Sequence, residues 1–350
     1  MSVLPWLQQD WADLQTRRGR LPHALLFSGP AGMGKRDFAQ QLAASLLCVA
    51  PGADGLACEQ CVGCRLRQAG NHPDLFYLVP ASDEETSESP ASEVSETSDK
   101  AEKAKSKQIV IEQIRQLQSA LTLKGHQSAC RVVVIDPVEA MNTHTANALL
   151  KLLEEPPFGV QFLLISAQAW RILPTILSRS QRVNLRQPQK EEALAWLKTQ
   201  GVEAPEMLAV VGGQPLEAAL RVEQGAQVWL RTVVEDLQVH AHQSPLQVAE
   251  RWEKWLKSKE MSQTNFALPQ LTDWVLRWLY DLSVLCLGGT VRYFPNQNDN
   301  LRNLAQRADS EALLNCYNDV ARMRRVAQHP LNTRLFLEDM LLRYARALKD

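Results

Sequence analysis

Four cysteines near the start of the chain have the types and spacing of metal ligands. Cys58, Cys61 and Cys64 form a C-x2-C-x2-C run, and Cys48 precedes it with nine residues between them. Four thiolates are the ligand set of a closed tetrahedral zinc site. The residues around the run are polar, and no basic-then-apolar signal segment precedes it, which disfavours both a buried apolar role and a secreted disulfide framework. We therefore predict one structural Zn²⁺ held by these four cysteines, with reduced, metal-free thiols as the alternative.

A glycine-rich segment that precedes the cysteines has the pattern of a phosphate loop. Its sequence is GPAGMGKR at residues 29–36. In such a loop, backbone N–H groups surround the phosphates, a lysine reaches the terminal phosphates, and a following serine or threonine holds magnesium. The predicted nucleotide-binding residues are Gly29, Gly32, Gly34 and Lys35. Arg36, however, stands where the hydroxyl belongs, and a guanidinium cannot coordinate a cation.

The predicted site also lacks the side chain that would accept a proton from the attacking water. The apolar run that ends at Asp136 would supply the acidic partner of magnesium, but Pro137 follows where hydrolysing proteins place a glutamate. Proline has no side chain that can accept a proton from water. The two losses predict a pocket that does not hydrolyse ATP, because phosphoryl transfer needs both parts. Binding of ATP without turnover stays open, since the backbone cradle survives.

Apolar runs place these motifs in an α/β domain. Buried strands are predicted at 23–28, immediately before the glycine-rich segment, and at 131–136 and 161–166. A helix is predicted at 37–47, directly after the segment. Short apolar runs that alternate with helices are typical of a parallel sheet covered on both faces. The first half of the chain is therefore predicted to be an α/β domain of the phosphate-loop type.

Changes in composition along the chain predict three domains and one disordered insertion. The insertion is the Asp/Glu/Ser/Thr-rich and then Lys-rich stretch at 82–107. The α/β nucleotide-binding-like domain is expected at 1–183, with a zinc module at about 48–70. Past this domain the strand signals fade, and helices rich in Leu, Ala and Trp follow. They are predicted to form a small helical domain at 184–226 and a larger helical domain at 227–350, with the tryptophans in the core.

The composition is that of a globular protein with a large core. The chain has 350 residues, of which 45% are hydrophobic, and a formal net charge of −1 at pH 7. No apolar run reaches the roughly 18 residues of a membrane span. Thiols without a signal segment predict the reducing cytoplasm. The near-zero net charge neither indicates nor excludes a contact with nucleic acid.

Three further motifs accompany the cysteines and the altered phosphate loop. They are TANALLKLLEEPP at 145–157, LSRS at 177–180 and NHPD at 71–74. With these motifs the chain resembles the clamp-loader family of AAA+ proteins, and within it the delta-prime type of bacterial DNA polymerase III. The resemblance covers essentially the whole length and is strongest from Pro22 to Arg182.

The resemblance implies an architecture and a set of partners. An AAA+ domain with a zinc module would precede a small helical lid and a C-terminal helical collar that forms oligomers. The implied assembly is a hetero-pentameric ring with the delta and the ATP-hydrolysing gamma/tau subunits, which places the sliding clamp on primed DNA in replication. The chain would be a subunit of the polymerase holoenzyme without polymerase or ATPase turnover of its own, and no membrane partner is implied.

The resemblance also implies a role for Arg179 as an arginine finger. In the family, the arginine of a Ser-Arg-Cys motif is offered to the ATP of a neighbouring subunit. Ser180 replaces the cysteine here and leaves the arginine intact. A guanidinium at a subunit edge stabilises charge on a transferred phosphoryl group, an effect worth about 10³ to 10⁵ in other enzymes. A nucleotide-sensing arginine expected shortly after Gly213 is absent, since Pro215 and Leu216 stand there.

Two other functions stay open from the sequence. The first is an autonomous AAA+ ATPase, which Arg36 and Pro137 disfavour. The second is a zinc-containing DNA-binding module, which would require tight, salt-dependent binding of DNA by the chain alone.

Overall fold

The computed structural model describes two compact units. The described residues are 3–80, 108–122, 130–238, 244–262, 264, 266–329 and 331–348. The units are Met1–Pro188 and Gln189–Asp350. The insertion predicted to be disordered, 82–107, lies outside the described residues. No helix within the described ranges is long and apolar enough to cross a membrane.

The first unit is built on a parallel sheet. Its strands are β1 (Ala24–Ser28), β2 (Leu75–Leu78), β3 (Arg131–Ile135), β4 (Val160–Ser166) and β5 (Gln181–Asn184). Their order across the sheet is β2-β3-β4-β1-β5, and every neighbouring pair is parallel. The predicted α/β class with a parallel sheet is confirmed. The three strands that the apolar runs predict are the three central ones, whereas β2 and β5 at the two edges are additional.

Helices cover both faces of this sheet. They are α1 (Gln8–Thr16), α2 (Lys35–Leu47), α3 (Val62–Gln68), α4 (Ile111–Thr122), α5 (Thr143–Glu154) and α6 (Pro174–Ser178). On one face, Ile114 of α4 and Leu149 of α5 share a buried cluster with Leu26 of β1. On the opposite face, the ring of Phe38 in α2 meets the ring of Phe27 edge-on, with centroids 5.5 Å apart. Because Leu26 and Phe27 are consecutive in β1, their side chains point to opposite faces, as strand geometry requires.

The second unit is helical throughout its described residues. Its helices are α7 (Lys190–Thr199), α8 (Pro205–Val210), α9 (Pro215–Glu223), α10 (Ala226–Gln238), α11 (Pro245–Leu256), α12 (Lys259–Ser262), α13 (Leu268–Cys286), α14 (Asn298–Arg307), α15 (Ser310–Val326) and α16 (Thr333–Ala347). The predicted change from α/β to all-α structure is confirmed. Gly212 and Gly213, both with positive φ angles, fall between α8 and α9 and separate the two helices.

A continuous apolar core runs through the second unit. The tryptophans predicted to be core residues belong to it or pack against it: Trp229, Trp252, Trp255, Trp274 and Trp278. The indole Nε1 of Trp278 donates a hydrogen bond to the Tyr344 hydroxyl at 2.9 Å, and this hydroxyl donates to the carbonyl oxygen of Leu237 at 2.7 Å. These bonds tie α13, α16 and α10 together inside the core. Both polar groups of this aromatic pair are thereby satisfied, as burial requires.

Candidate functional sites

The glycine-rich segment forms a loop between β1 and α2, which is the setting in which phosphate loops occur. Gly32 and Gly34 have φ angles of 74° and 92°, a region that favours glycine. Gly34 is the residue immediately before the first turn of α2. A Cβ atom on Gly29 would lie 3.2 Å from the sulfur of Met33, so this glycine admits a close approach within the loop. The backbone of the cradle is therefore intact.

Lys35 is turned towards its own loop. Its Nζ donates a hydrogen bond to the carbonyl oxygen of Pro30 at 2.6 Å, and only 6% of the residue is exposed. Burial lowers the pKa of its ammonium group, although the charges of Asp136 and Glu139 oppose this shift. The group that should reach a terminal phosphate is thus bound within the chain.

Arg36 forms an ion pair with Asp136 across the same site. The Nε of Arg36 donates to Oδ2 of Asp136, and the Asp136 side chain is only 12% exposed. Asp136 is the carboxylate that would help to hold magnesium. Glu139, the next acidic residue along the chain, accepts backbone N–H bonds from Ala167 and Gln168 at 2.9 and 3.0 Å. Arg36 therefore differs from serine or threonine in two ways. It offers no ligand oxygen, and it places a positive charge where magnesium would bind.

The four predicted metal ligands come together in space. The sulfur atoms of Cys48, Cys58, Cys61 and Cys64 all lie within 4.8 Å of one another, and those of Cys48 and Cys61 are 3.9 Å apart. Sulfur atoms at about 2.3 Å from a tetrahedral zinc ion are about 3.8 Å apart. The donor set and its spacing fit Zn²⁺. These four residues would hold the ion, and an ion with four protein ligands supplies structure rather than a position for substrate.

Local backbone structure positions the cysteines. The sulfur of Cys61 caps the start of α3 and accepts the N–H of Cys64 at 3.4 Å. The turn between Cys58 and Cys61 holds Glu59 at a φ of 59°, and the Glu59 carboxylate accepts two hydrogen bonds from Arg67 of α3. Such a left-handed conformation is uncommon for a residue other than glycine and is maintained here by the surrounding contacts.

The thiols of this cluster differ in how readily they ionise. Burial acts to raise the pKa of Cys61, but backbone N–H groups of Val49 and Cys64 and the neighbouring thiols lower it to about 6. Burial raises the pKa of Cys64 to about 12. Four thiolates at these distances repel one another strongly, so a bound cation is the physical means of ionising the whole set.

Arg179 lies at the surface, where α6 ends. Its Nη2 forms an ion pair with Oε1 of Glu154 at 2.6 Å, and its Nη1 donates to the carbonyl oxygen of Thr175 and the hydroxyl of Ser178 at 3.1 and 3.3 Å. The Arg179 side chain is 36% exposed. The sequence patterns do not reveal the contact with Glu154, because the two residues are 25 positions apart and lie at the ends of two different helices.

Arg179 and the phosphate loop lie at opposite ends of the sheet. Arg179 lies two residues before β5, whereas the loop follows the last residue of β1. β1 and β5 pair in parallel, with Leu25 opposite Gln181 and Ser28 opposite Asn184. A strand rises about 3.3 Å per residue, so the length of β5 alone, from Gln181 to Asn184, separates the two sites by about 10 Å. The arginine is therefore remote from the phosphate loop of its own chain.

Comparison with known proteins decides the family. A family model described as DNA polymerase III, delta subunit, matches residues 8–189, which is more than half of the chain, and one described as its C-terminal part matches residues 238–346. DNA polymerase III subunit delta′ of Pseudomonas aeruginosa is 37% identical over 79% of this chain and 76% of its own length. The chain belongs to the delta′ family of DNA polymerase III subunits. The resemblance stated from the sequence motifs is confirmed.

The sequence of one further relative agrees with this assignment. The delta′ subunit of Haemophilus influenzae is 28% identical over 98% of this chain and 97% of its own length. A solved DNA polymerase III gamma-subunit-related protein from Thermotoga maritima is 16% identical, with a TM-score of 0.46, over 96% of this chain and 99% of that chain. The family assignment rests on the sequence matches.

Proposed function

We propose that this delta′ family member is a non-hydrolysing subunit of the clamp loader that completes the ATP site of a neighbouring subunit with Arg179. The observation that carries the proposal is the position of Arg179, partly exposed at the sheet end opposite to the phosphate loop of the same chain. From there the guanidinium does not reach its own loop, and its place at the surface would let it meet a nucleotide on another subunit. A cation at such a position stabilises the charge of phosphoryl transfer.

The altered phosphate loop supports the absence of hydrolysis by this chain. Lys35 is bonded to Pro30, Arg36 is paired with Asp136, and Pro137 provides no base. Each of these residues stands where a working site needs a group free to meet phosphate, magnesium or water. We infer that nucleotide, if it enters this loop at all, is not hydrolysed.

The remaining partners follow from the family and are part of the same proposal. The chain would join delta and gamma/tau subunits in a hetero-pentameric ring in the cytoplasm and act on the sliding clamp and primed DNA through that ring. The four cysteines would hold a structural Zn²⁺. The AAA+ domain would extend over 1–183, the lid over 184–226 and the oligomer-forming collar over 227–350.

An Arg179→Ala variant tests the proposal. We expect the variant to assemble with the other subunits but to lower DNA-stimulated ATP turnover of the reconstituted complex, because removal of an arginine finger costs about 10³ to 10⁵ at the site that it serves. Arg182→Ala, which removes an exposed arginine from the neighbouring strand β5, is the matched control and should leave turnover unchanged. Undiminished turnover with Arg179→Ala would reject the role of this residue.

A second measurement separates this function from that of an autonomous ATPase. The isolated chain is expected to show no sustained ATP hydrolysis, and Lys35→Ala is expected to make no difference. Sustained hydrolysis that Lys35→Ala abolishes would replace the proposed function with that of an independent motor.

A further inference from the structure

We propose that Glu154 is a positioning residue for the arginine finger. This inference rests on the proposed function, because it concerns how Arg179 is presented to the neighbouring nucleotide. Glu154 is the last residue of α5, and its Oε1 lies 2.6 Å from Nη2 of Arg179. Its carboxylate therefore fixes one end of the guanidinium, and the α6 groups that Nη1 contacts fix the other.

The ion pair between Glu154 and Arg179 is not expected to stabilise the fold appreciably. The two side chains are 36% and 48% exposed, and ion pairs with this exposure contribute little to folding. A carboxylate at the carboxyl end of a helix also faces the negative pole of the helix dipole. Glu154 is thus unfavourably placed with respect to its own helix, and Arg179 offsets that cost locally.

The contacts restrict the guanidinium to one orientation. A free arginine side chain samples many rotamers, and a finger that must find its orientation at each turnover loses rate. Here Nη2 is held by Glu154 of α5, while Nη1 is held by the Thr175 carbonyl and the Ser178 hydroxyl of α6. Two separate helices therefore determine where the positive charge lies, which is the preorganisation that electrostatic catalysis requires.

The opposite interpretation is that Glu154 competes with the phosphate and withholds the arginine from it. The two interpretations predict opposite changes in ATP turnover when the carboxylate is removed. Loss of a positioning group lowers turnover, whereas loss of a competing group raises it. We assign the positioning role, because the Nη1 contacts hold only one end of the guanidinium, and Glu154 is the partner of Nη2 among the described residues.

The experiment compares Glu154→Ala with Glu155→Ala in the reconstituted complex. Glu155 is the next residue, is exposed, and has no side-chain partner within the part of the chain that the structure describes. We expect Glu154→Ala to cause at least roughly half of the loss in kcat that Arg179→Ala causes, because small displacements of a catalytic group are costly. The KM for ATP should stay unchanged, since the arginine acts on charge that develops in the transition state. Glu155→Ala should match the unmodified complex.

The double variant Glu154→Ala with Arg179→Ala distinguishes positioning from a general structural defect. If Glu154 acts only through Arg179, the double variant should be no slower than Arg179→Ala alone. Unchanged or raised turnover with Glu154→Ala, while Arg179→Ala lowers it, would overturn the inference and leave the proposed function standing. Equal turnover in all these complexes would overturn the proposed function and this inference together.

Discussion

An arginine at position 36 removes a magnesium ligand and also supplies a competing charge. In the structure its guanidinium pairs with Asp136, the carboxylate that a magnesium ion would use. The negative charge of Asp136 is therefore balanced by Arg36 without a metal ion. A loop that had lost only its hydroxyl would keep Asp136 available to the cation, whereas here the guanidinium of Arg36 already occupies that carboxylate.

This difference predicts how the loop responds to substitution. Arg36→Thr restores the hydroxyl and frees Asp136, so we expect it to bind Mg–ATP about tenfold or more tightly than the unmodified chain. Arg36→Ala frees Asp136 without the hydroxyl and should lie between the two. Neither variant should hydrolyse ATP, because Pro137 still provides no base. Isothermal titration calorimetry measures these affinities, and equal values for Arg36→Thr and the unmodified chain would refute the argument.

The burial of Lys35 predicts a dependence of stability on pH. Its pKa is lower in the folded chain than the ordinary value of 10.5. At pH values between the folded-state and unfolded-state pKa, unfolding is therefore accompanied by uptake of a proton. The contribution of Lys35 to the free energy of unfolding rises with pH up to about 10.5. Lys35→Met removes the ionisable group. The increase in the free energy of unfolding of this variant over the unmodified chain should therefore be greater at pH 7 than at pH 10. Chemical denaturation at both pH values tests this, with Lys151→Met, at an exposed position, as the matched control.

At the scale of elements, the cysteine cluster depends on how closely α3 approaches the end of α2. A Cβ atom on Gly63 would lie 2.7 Å from the carbonyl oxygen of Leu47 and 3.4 Å from Nε2 of His72. Any larger residue would push α3 away from Cys48, and with it Cys61 at its N-cap and Cys64 in its first turn. The glycine within the C-x2-C-x2-C run thus shapes the candidate metal site, although it offers no ligand atom.

Removal of one cysteine should therefore release the metal and loosen the module. The unmodified protein is expected to contain about one zinc ion per chain, and Cys61→Ser to contain less and to unfold at a temperature about 5 °C or more lower. Cys130→Ser is the control, because Cys130 lies outside the cluster. Metal analysis by mass spectrometry and thermal unfolding give both readouts. Freshly purified protein without zinc would contradict the assignment.

The elements that the sequence predicts well are those whose burial leaves a pattern. β1, β3 and β4 are central strands with apolar runs, and the motif spacing suffices to bring the four cysteines together. β5, with the sequence QRVN, is an edge strand exposed for most of its length, so no apolar run reveals it. The pairing of Arg179 with Glu154 is equally invisible, because it depends on where two helices end in space.

At the scale of the whole molecule, the chain divides after Pro188 into an α/β unit and a helical unit, each with its own apolar core. The sequence predicts this change of class because strand-like runs cease near residue 184. It also predicts a division between lid and collar, and in the described residues the helices from α7 to α16 share one core. Helical periodicity identifies buried faces but does not show which helices share a core.

The proposed role predicts weak binding to DNA by the chain alone, because the DNA is reached through the assembled ring. The net charge, with 38 basic and 39 acidic residues, does not decide the matter by itself. We expect a Kd for primed DNA weaker than about 10 µM at 150 mM salt. Fluorescence anisotropy of labelled primed DNA measures it, with the assembled complex as the positive control. Tight binding with a steep dependence on salt would instead favour a DNA-binding module.

The contacts of Lys35 and Arg36 bear on how the chain responds to the cell's energy supply. Both residues already have partners within the same polypeptide, so ATP or ADP entering this loop would first have to displace those contacts. The proposed function then implies that changes in the ratio of ATP to ADP reach the assembly through the neighbouring subunits, while this chain would keep the same surface throughout the cycle.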